Sequence, residues 1–150
     1  MEKICFLFGH RDAPASLAPL LDAALEQHFL QHGARVFVVG SRGRFDSMAA
    51  AALLRLKARR PQAHLLLLLA YHPAQQPPAL PQGFDGTLYP DGMESVPPRL
   101  AIVRANHAAL RQAASVICFV AGPGNTRALL EAARARTACH PLLITNLADR

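Results

Sequence analysis

Lys3-Ile4-Cys5-Phe6-Leu7-Phe8-Gly9-His10-Arg11-Asp12 runs five apolar side chains without interruption and then breaks at glycine into a polar tail. A strand buried on one face alternates apolar and polar residues, whereas a continuous run fits a strand covered on both faces, as in a parallel sheet. The glycine marks its carboxyl end. Beyond Pro14, Leu17, Leu20, Leu21, Leu25 and Phe29 fall on one helical stripe, with Ser16 as the expected cap and Gly33 as the stop. This is a strand followed by a helix, and the pattern repeats.

Residues 35–39 form a second apolar, β-branched run closed by Gly40, and residues 45–60 carry Met48, Ala52, Leu53 and Leu56 at helical spacing before Pro61. Residues 64–70 contain five consecutive leucines; their length and their place after a helix make them the third strand. Residues 71–98 hold most of the twelve prolines and read as a long restrained connection, with a short strand over 86–89. A helix over 99–113, a strand over 115–120, a helix over 126–136 and a strand over 141–145 complete the chain. The alternation predicts a single α/β domain over 1–150, a Rossmann-like three-layer sandwich with a mainly parallel sheet and helices on both faces.

The chain has 150 residues, 51% apolar and 17% charged, which excludes a largely disordered protein. No apolar run approaches the roughly 20 residues needed to cross a bilayer, and residues 4–8 are too short for a secretory signal. A cytoplasmic protein with no membrane partner is expected. Cys5, Cys118 and Cys139 are odd in number and lack CxxC spacing, so buried reduced thiols are expected at all three. The net charge is +6, and arginine outnumbers lysine fourteen to two. Arginine's planar fork suits phosphate, which favours an anionic ligand; nucleic acid is open but not favoured, since the charges are scattered.

Ligands of open α/β sheets bind beyond the carboxyl ends of the strands. Three loops there carry glycine: 8–12, 39–46 and 121–126. Tight backbone turns and free amides at a following helix start attract anions. The ligand-binding candidates are therefore Gly9, Arg11, Gly40, Ser41, Arg42, Gly43, Gly122, Gly124, Asn125 and Thr126, with Arg104 and Asn106 on the helix after the long connection. Arg11 could instead bridge to Asp12 or Asp46. His10, Asp46 and Glu94 are the candidate acids and bases, although Asp46 is equally suited to capping its helix. His28 and His32 share a helix face, but no third ligand joins them, so they read as a surface pair; no metal and no cofactor is expected. No GxSxG elbow and no GxxxxGK[ST] phosphate loop is present.

The ordered series FGHRD, VGSRGRFDSMAA, LLRLK, LAY and YPDGMESVPPRLAIVRAN resembles a short bacterial branch of the SLOG superfamily, named for the Smf/DprA and LOG proteins, across residues 4–136. The resemblance implies a Rossmann-like fold that binds nucleotides, nucleotide derivatives or nucleic acid, with a nucleotide or ribosyl phosphate as small-molecule partner and a homodimer left open. Related sequences carry Asn-Trp-Met where this chain has Asn106-His107-Ala108, and Gly-Gly where it has Gly124-Asn125. The alternatives are a LOG-like phosphoribohydrolase and a DprA-like single-strand DNA binder. LOG enzymes carry PGGxGTxxE; the position of that glutamate is Leu129 here, and Glu131 lies two residues on, turned away by roughly 200° of helix.

Overall fold

The computed structural model describes every residue except Met1, Ala138 and Arg150. Strands β1 (Lys3–Gly9), β2 (Ala34–Val39), β3 (His64–Leu68), β4 (Gly86–Leu88), β5 (Ser115–Phe119) and β6 (Leu143–Asn146) form one sheet. Its order is β4-β3-β2-β1-β5-β6, and every neighbouring pair is parallel. Helices α1 (Ala18–Leu30), α2 (Gly43–Arg59), α3 (Ala101–Gln112) and α4 (Asn125–Arg136) connect the strands.

The unbroken apolar runs are explained by the two faces they serve. Cys5 and Leu7 of β1 join Phe37, Val39, Leu65 and Ile117 in a core beneath α1 and α2, where Leu21, Leu25, Phe45, Leu53 and Leu56 are fully buried. Phe6 and Phe8 point the other way and meet Val38, Val116, Cys118 and the alanine-rich face of α3, with Leu129 and Leu130 of α4. Small residues at Ala101, Ala105 and Ala109 let α3 lie close to the sheet.

The chain begins in the middle of the sheet, steps outward through β2, β3 and β4, and returns through α3 to build β5 and β6 on the other side of β1. The order therefore reverses between β1 and β5. That reversal opens a crevice at the carboxyl ends of those strands. The prolines of the long connection leave β4 as its only strand; Asp85 pins it by accepting the Leu65 N–H at 2.8 Å and pairing with Lys57 at 2.6 Å.

Three local expectations need correction. His28 is wholly buried and is not a surface residue: its Nε2 lies 2.9 Å from the Thr145 hydroxyl and its Nδ1 3.1 Å from the Ser115 hydroxyl, so it ties α1 to β5 and β6. Cys139 is exposed, whereas Cys5 and Cys118 are buried, and burial pushes both of those thiols up to about 12, leaving them protonated at neutral pH. Ser16 makes no capping bond, because a short 3-10 turn, Ala15–Leu17, leads into α1 and Pro19 occupies the first turn. No helix among the described residues is long and apolar enough to cross a membrane.

Candidate functional site

A cavity of about 690 Å³ lies over the carboxyl ends of β1, β2 and β3, walled by α3 and by the first turns of α4. That volume falls in the range of small-molecule sites. Of the residues selected from sequence, Gly9, Arg11, Gly40, Ser41, Arg42, Asp46, Asn106, Asn125 and Thr126 all line it. Gly43, Arg104, Gly122, Gly124, His10 and Glu94 do not. Glu94 is exposed on the short turn Met93–Ser95, and Arg104 is exposed on α3.

The glycines that shape this rim make room for protein atoms. A Cβ on Gly9 would lie 2.5 Å from the Phe45 ring, so glycine there lets α2 pack its buried phenylalanine over the end of β1. A Cβ on Gly40 would lie 2.9 Å from Asp46 Oδ2. Gly43 has φ +90 and would place a Cβ 2.7 Å from Arg11 Cα; with this close approach the Arg44 N–H donates to the Arg11 carbonyl at 2.8 Å. The start of α2 is thereby clamped to the loop after β1, which fixes where Arg11 leaves the backbone.

Among the described residues Asp46 is the only carboxylate lining the cavity. Its Oδ2 accepts the Arg42 N–H at 2.9 Å, reaching back from the first turn of α2 to the residue that precedes the helix. The oxygen thus meets the N–H of the residue before the helix and not one of α2's own early N–H groups, which is where a cap was expected to act. Oδ1 has no hydrogen-bond partner among the described residues. Burial pushes the carboxyl up from 3.8 to about 7, against the Arg42 N–H and guanidinium, which favour ionisation. An acid that titrates near neutrality beside a cavity can donate or accept a proton there.

Arg11, Arg42 and Arg99 line the same cavity from the loop after β1, the loop after β2 and the turn before α3. All three are exposed and none makes a salt bridge among the described residues, the bridge from Arg11 to Asp12 or Asp46 included, although the Arg42 guanidinium lies near enough to Asp46 to act on it. Several other arginines are engaged, Arg55 with Asp22, Arg59 and Arg60 with Glu26, and Arg35 with the Phe29 and Ala34 carbonyls. The Arg42 guanidinium sits 5.7 Å from the centre of the Tyr71 ring, whose hydroxyl donates to the Pro98 carbonyl at 3.2 Å. The same cavity is also lined by apolar residues, Ile102 and Val103 of α3, Leu129 of α4, and Pro77 and Pro78 of the long connection.

His10 spans the crevice between β1 and β5. Its Nε2 accepts the Ala121 N–H at 2.9 Å and the Gly122 N–H at 3.1 Å, and its ring stands edge-on to Phe119. Two donors on one ring nitrogen require that nitrogen to be unprotonated, so the ring carries its proton on Nδ1. The amides of the 121–124 loop expected to meet an anion are thus partly occupied by a side chain. Gly124 takes φ +124 at the start of α4, and Asn125 is already helical.

Sequence reasoning passed over the α3 wall and Gln76, Pro77, Pro78 and Ala79. Ile102 and Val103 look like core residues in a helical pattern. The usable signal was Pro97-Pro98-Arg99, which stops the long connection and places an arginine just before α3. Among the described residues no group of three or more His, Cys, Asp or Glu side chains is placed to hold a metal ion. No protein-family model matches the chain, and no curated protein matches it.

Proposed function

We propose that this protein binds a nucleotide or nucleotide-derived phosphate ligand, such as a ribosyl phosphate, in the cavity over β1, β2 and β3, as a cytoplasmic member of the SLOG superfamily. The observation that carries the reading is the meeting of Arg11, Arg42 and Arg99, none in a salt bridge among the described residues, around one cavity that Ile102, Val103, Leu129, Pro77 and Pro78 also line. Guanidinium forks pair bidentately with phosphate, and apolar walls accept the flat face of a base. Asn106 and Thr126 add neutral polar groups to the same lining. A single-strand DNA binder would use an open basic surface, whereas these three arginines gather at one small-molecule-sized cavity.

The test is a thermal-shift series with nucleoside monophosphates, ADP-ribose, NAD and cyclic nucleotides, on the wild type, Arg11→Ala and Arg111→Ala. Arg111 lies in the last turn of α3, at the other end of the helix from the cavity. A ligand at a hundred times its Kd stabilises the fold by about 2.7 kcal/mol. Arg11→Ala should weaken that ligand about ten- to a hundredfold, the size of a charge-assisted contact, and Arg111→Ala should not. Failure of every compound to raise the melting temperature, or equal loss in both variants, sinks the reading.

Asp46 supports a second reading, hydrolysis of the N-glycosidic bond of a nucleoside monophosphate. Leu129 lines the cavity at the LOG glutamate position and has no acid to offer, while Glu131 is exposed outside it. Asp46 is the acid left in the cavity to take that part. Free base released by the wild type and not by Asp46→Asn would select this reading over binding alone.

A further inference from the structure

We propose that Asp46 meets the ligand as a carboxylic acid: on binding it takes one proton from solvent onto Oδ1 and donates it in a hydrogen bond to an anionic oxygen of the ligand. This role rests on the reading of the cavity as a phosphate-ligand site and adds to it a contact and a proton. The two carboxyl oxygens are placed differently. Oδ2 accepts the Arg42 N–H at 2.9 Å and sits against Gly40, where a Cβ would come within 2.9 Å of it. Oδ1 has no hydrogen-bond partner, yet every buried side-chain oxygen and nitrogen among the described residues has one. Oδ1 is therefore open, and Asp46, half-buried, opens on the cavity that it lines.

An ionised carboxylate accepts up to about four hydrogen bonds and donates none. Asp46 receives one, and it makes no salt bridge among the described residues. A half-buried site so poorly furnished for negative charge favours the neutral acid, and burial pushes the carboxyl up to about 7. The neutral acid also fits the geometry: Oδ2 is then the carbonyl oxygen that accepts the Arg42 N–H, and Oδ1 is the hydroxyl that needs an acceptor. The arginines of the lining are donors alone and cannot supply one. A phosphate oxygen can. An anion that pairs with Arg42 offsets the guanidinium charge that favours ionisation of Asp46 and brings negative charge of its own, so its arrival draws the proton onto the carboxyl.

The other elements around Asp46 supply no second acid to take that proton. Among the described residues, Arg42 from the loop after β2 is the charge that acts on Asp46. Arg11 from the loop after β1 and Arg99 from the turn before α3 are the other charged residues of the lining. Tyr71, after β3, is its remaining titratable residue, with the hydroxyl held on the Pro98 carbonyl, and α3 and α4 contribute none. On α2 itself Arg44 is exposed and does not line the cavity, and neither does the exposed Asp12 in the loop after β1. The carboxylates that α1 turns to α2, Asp22 and Glu26, are paired with Arg55, Arg59 and Arg60.

The experiment is isothermal titration calorimetry of the whole protein with ADP-ribose, NAD and cyclic AMP between pH 5.5 and 8.5, in pairs of buffers of different ionisation enthalpy, which counts the protons exchanged. These probes lack the phosphate-monoester ionisation near pH 6 that would add a proton of the ligand's own. The wild type should take up about half a proton or more per ligand at pH 8 and close to none at pH 5.5, and its affinity should fall about fivefold or more from pH 6 to 8.5. Asp46→Asn keeps a carbonyl oxygen for the Arg42 N–H and sets an N–H donor where Oδ1–H stood; it should take up no proton and bind more tightly than the wild type at pH 8.5. Asp46→Ala, with no donor, should bind about tenfold more weakly than Asp46→Asn. Binding with no proton uptake, with proton release, or with uptake that persists in Asp46→Asn overturns the proposal and leaves the phosphate-ligand reading standing. So does equal binding by Asp46→Asn and Asp46→Ala, or weaker binding by Asp46→Asn than by the wild type at pH 8.5. Absence of binding by every probe at every pH overturns both.

Discussion

Asp46→Asn should make the protein more stable above neutral pH and leave it nearly unchanged in mild acid. In the fold the carboxyl titrates at about 7, and in the unfolded chain near its ordinary 3.8. Between those values the folded state keeps a proton that the unfolded state has lost, so Asp46 makes stability fall as pH rises through the window. Below about 4 both states are protonated and the residue costs nothing. Above about 7 the folded state carries the full burden of a partly buried, ionised carboxylate, about 4 kcal/mol at about 1.4 kcal/mol per pH unit. Water reaching the cavity lowers this, and about 2 kcal/mol is the expected size. Asparagine keeps a carbonyl oxygen to accept the Arg42 N–H, so the cap survives while the charge is removed. Urea denaturation of wild type and variant at half-unit steps from pH 4 to 8.5 gives the difference directly, because every other titrating group cancels. The variant's advantage should grow from near zero to its plateau around pH 7. A difference that stays flat, or that favours the wild type as pH rises, refutes the placement of Asp46 as a desolvated acid.

Other consequences follow from contacts that sequence does not show. Gly9→Ala drives a methyl into the Phe45 ring at the end of β1 and should cost about 1–3 kcal/mol, seen as a melting temperature lower by about 2–4 °C per kcal/mol; an unchanged melting point would mean that α2 does not pack there as described. Thr145→Val removes a hydroxyl 2.9 Å from the buried His28 ring and should cost about 1–3 kcal/mol in urea denaturation, whereas Thr137→Val, on an exposed hydroxyl bonded only within its own turn, should cost less than about 0.5 kcal/mol.

The sheet was legible because buried parallel strands need residues that no other element needs in such runs. Residues 4–8, 36–39, 65–69 and 116–120 read as neighbouring parallel strands, and they are, in the order β3-β2-β1-β5. His28 was legible too, though read wrongly: it follows Leu21 by seven and Leu25 by three, on the buried stripe of α1, and that placement outweighs its polarity once Ser115 and Thr145 arrive to bond it. The glycines were selected as ligand contacts because the rule relating glycine to phosphate is local. Their actual neighbours, the Phe45 ring at Gly9, the Asp46 carboxyl at Gly40 and the Arg11 backbone at Gly43, are tertiary and leave no mark in the spacing.

His10 accounts for where the cavity lies. Strand order puts the crevice between β1 and β5, and there a doubly wound sheet would ordinarily take its ligand. In this chain the imidazole fills that position, accepting the Ala121 and Gly122 N–H groups, while the His10 N–H continues the ladder to the Phe119 carbonyl at 3.2 Å. The first and last helix-bearing loops are thereby joined. The open volume lies to the other side of β1, over β2 and β3, where Ala101, Ala105 and Ala109 bring α3 close enough to serve as a wall. Charge follows the same displacement. The arginines next to this volume sit in the loops after β1 and β2 and before α3, while Arg127, which follows the loop after β5, is turned back to the Gly122 carbonyl. The glycine loop after β5 then serves the site through Asn125 and Thr126 at the start of α4, which His10 holds in register from behind.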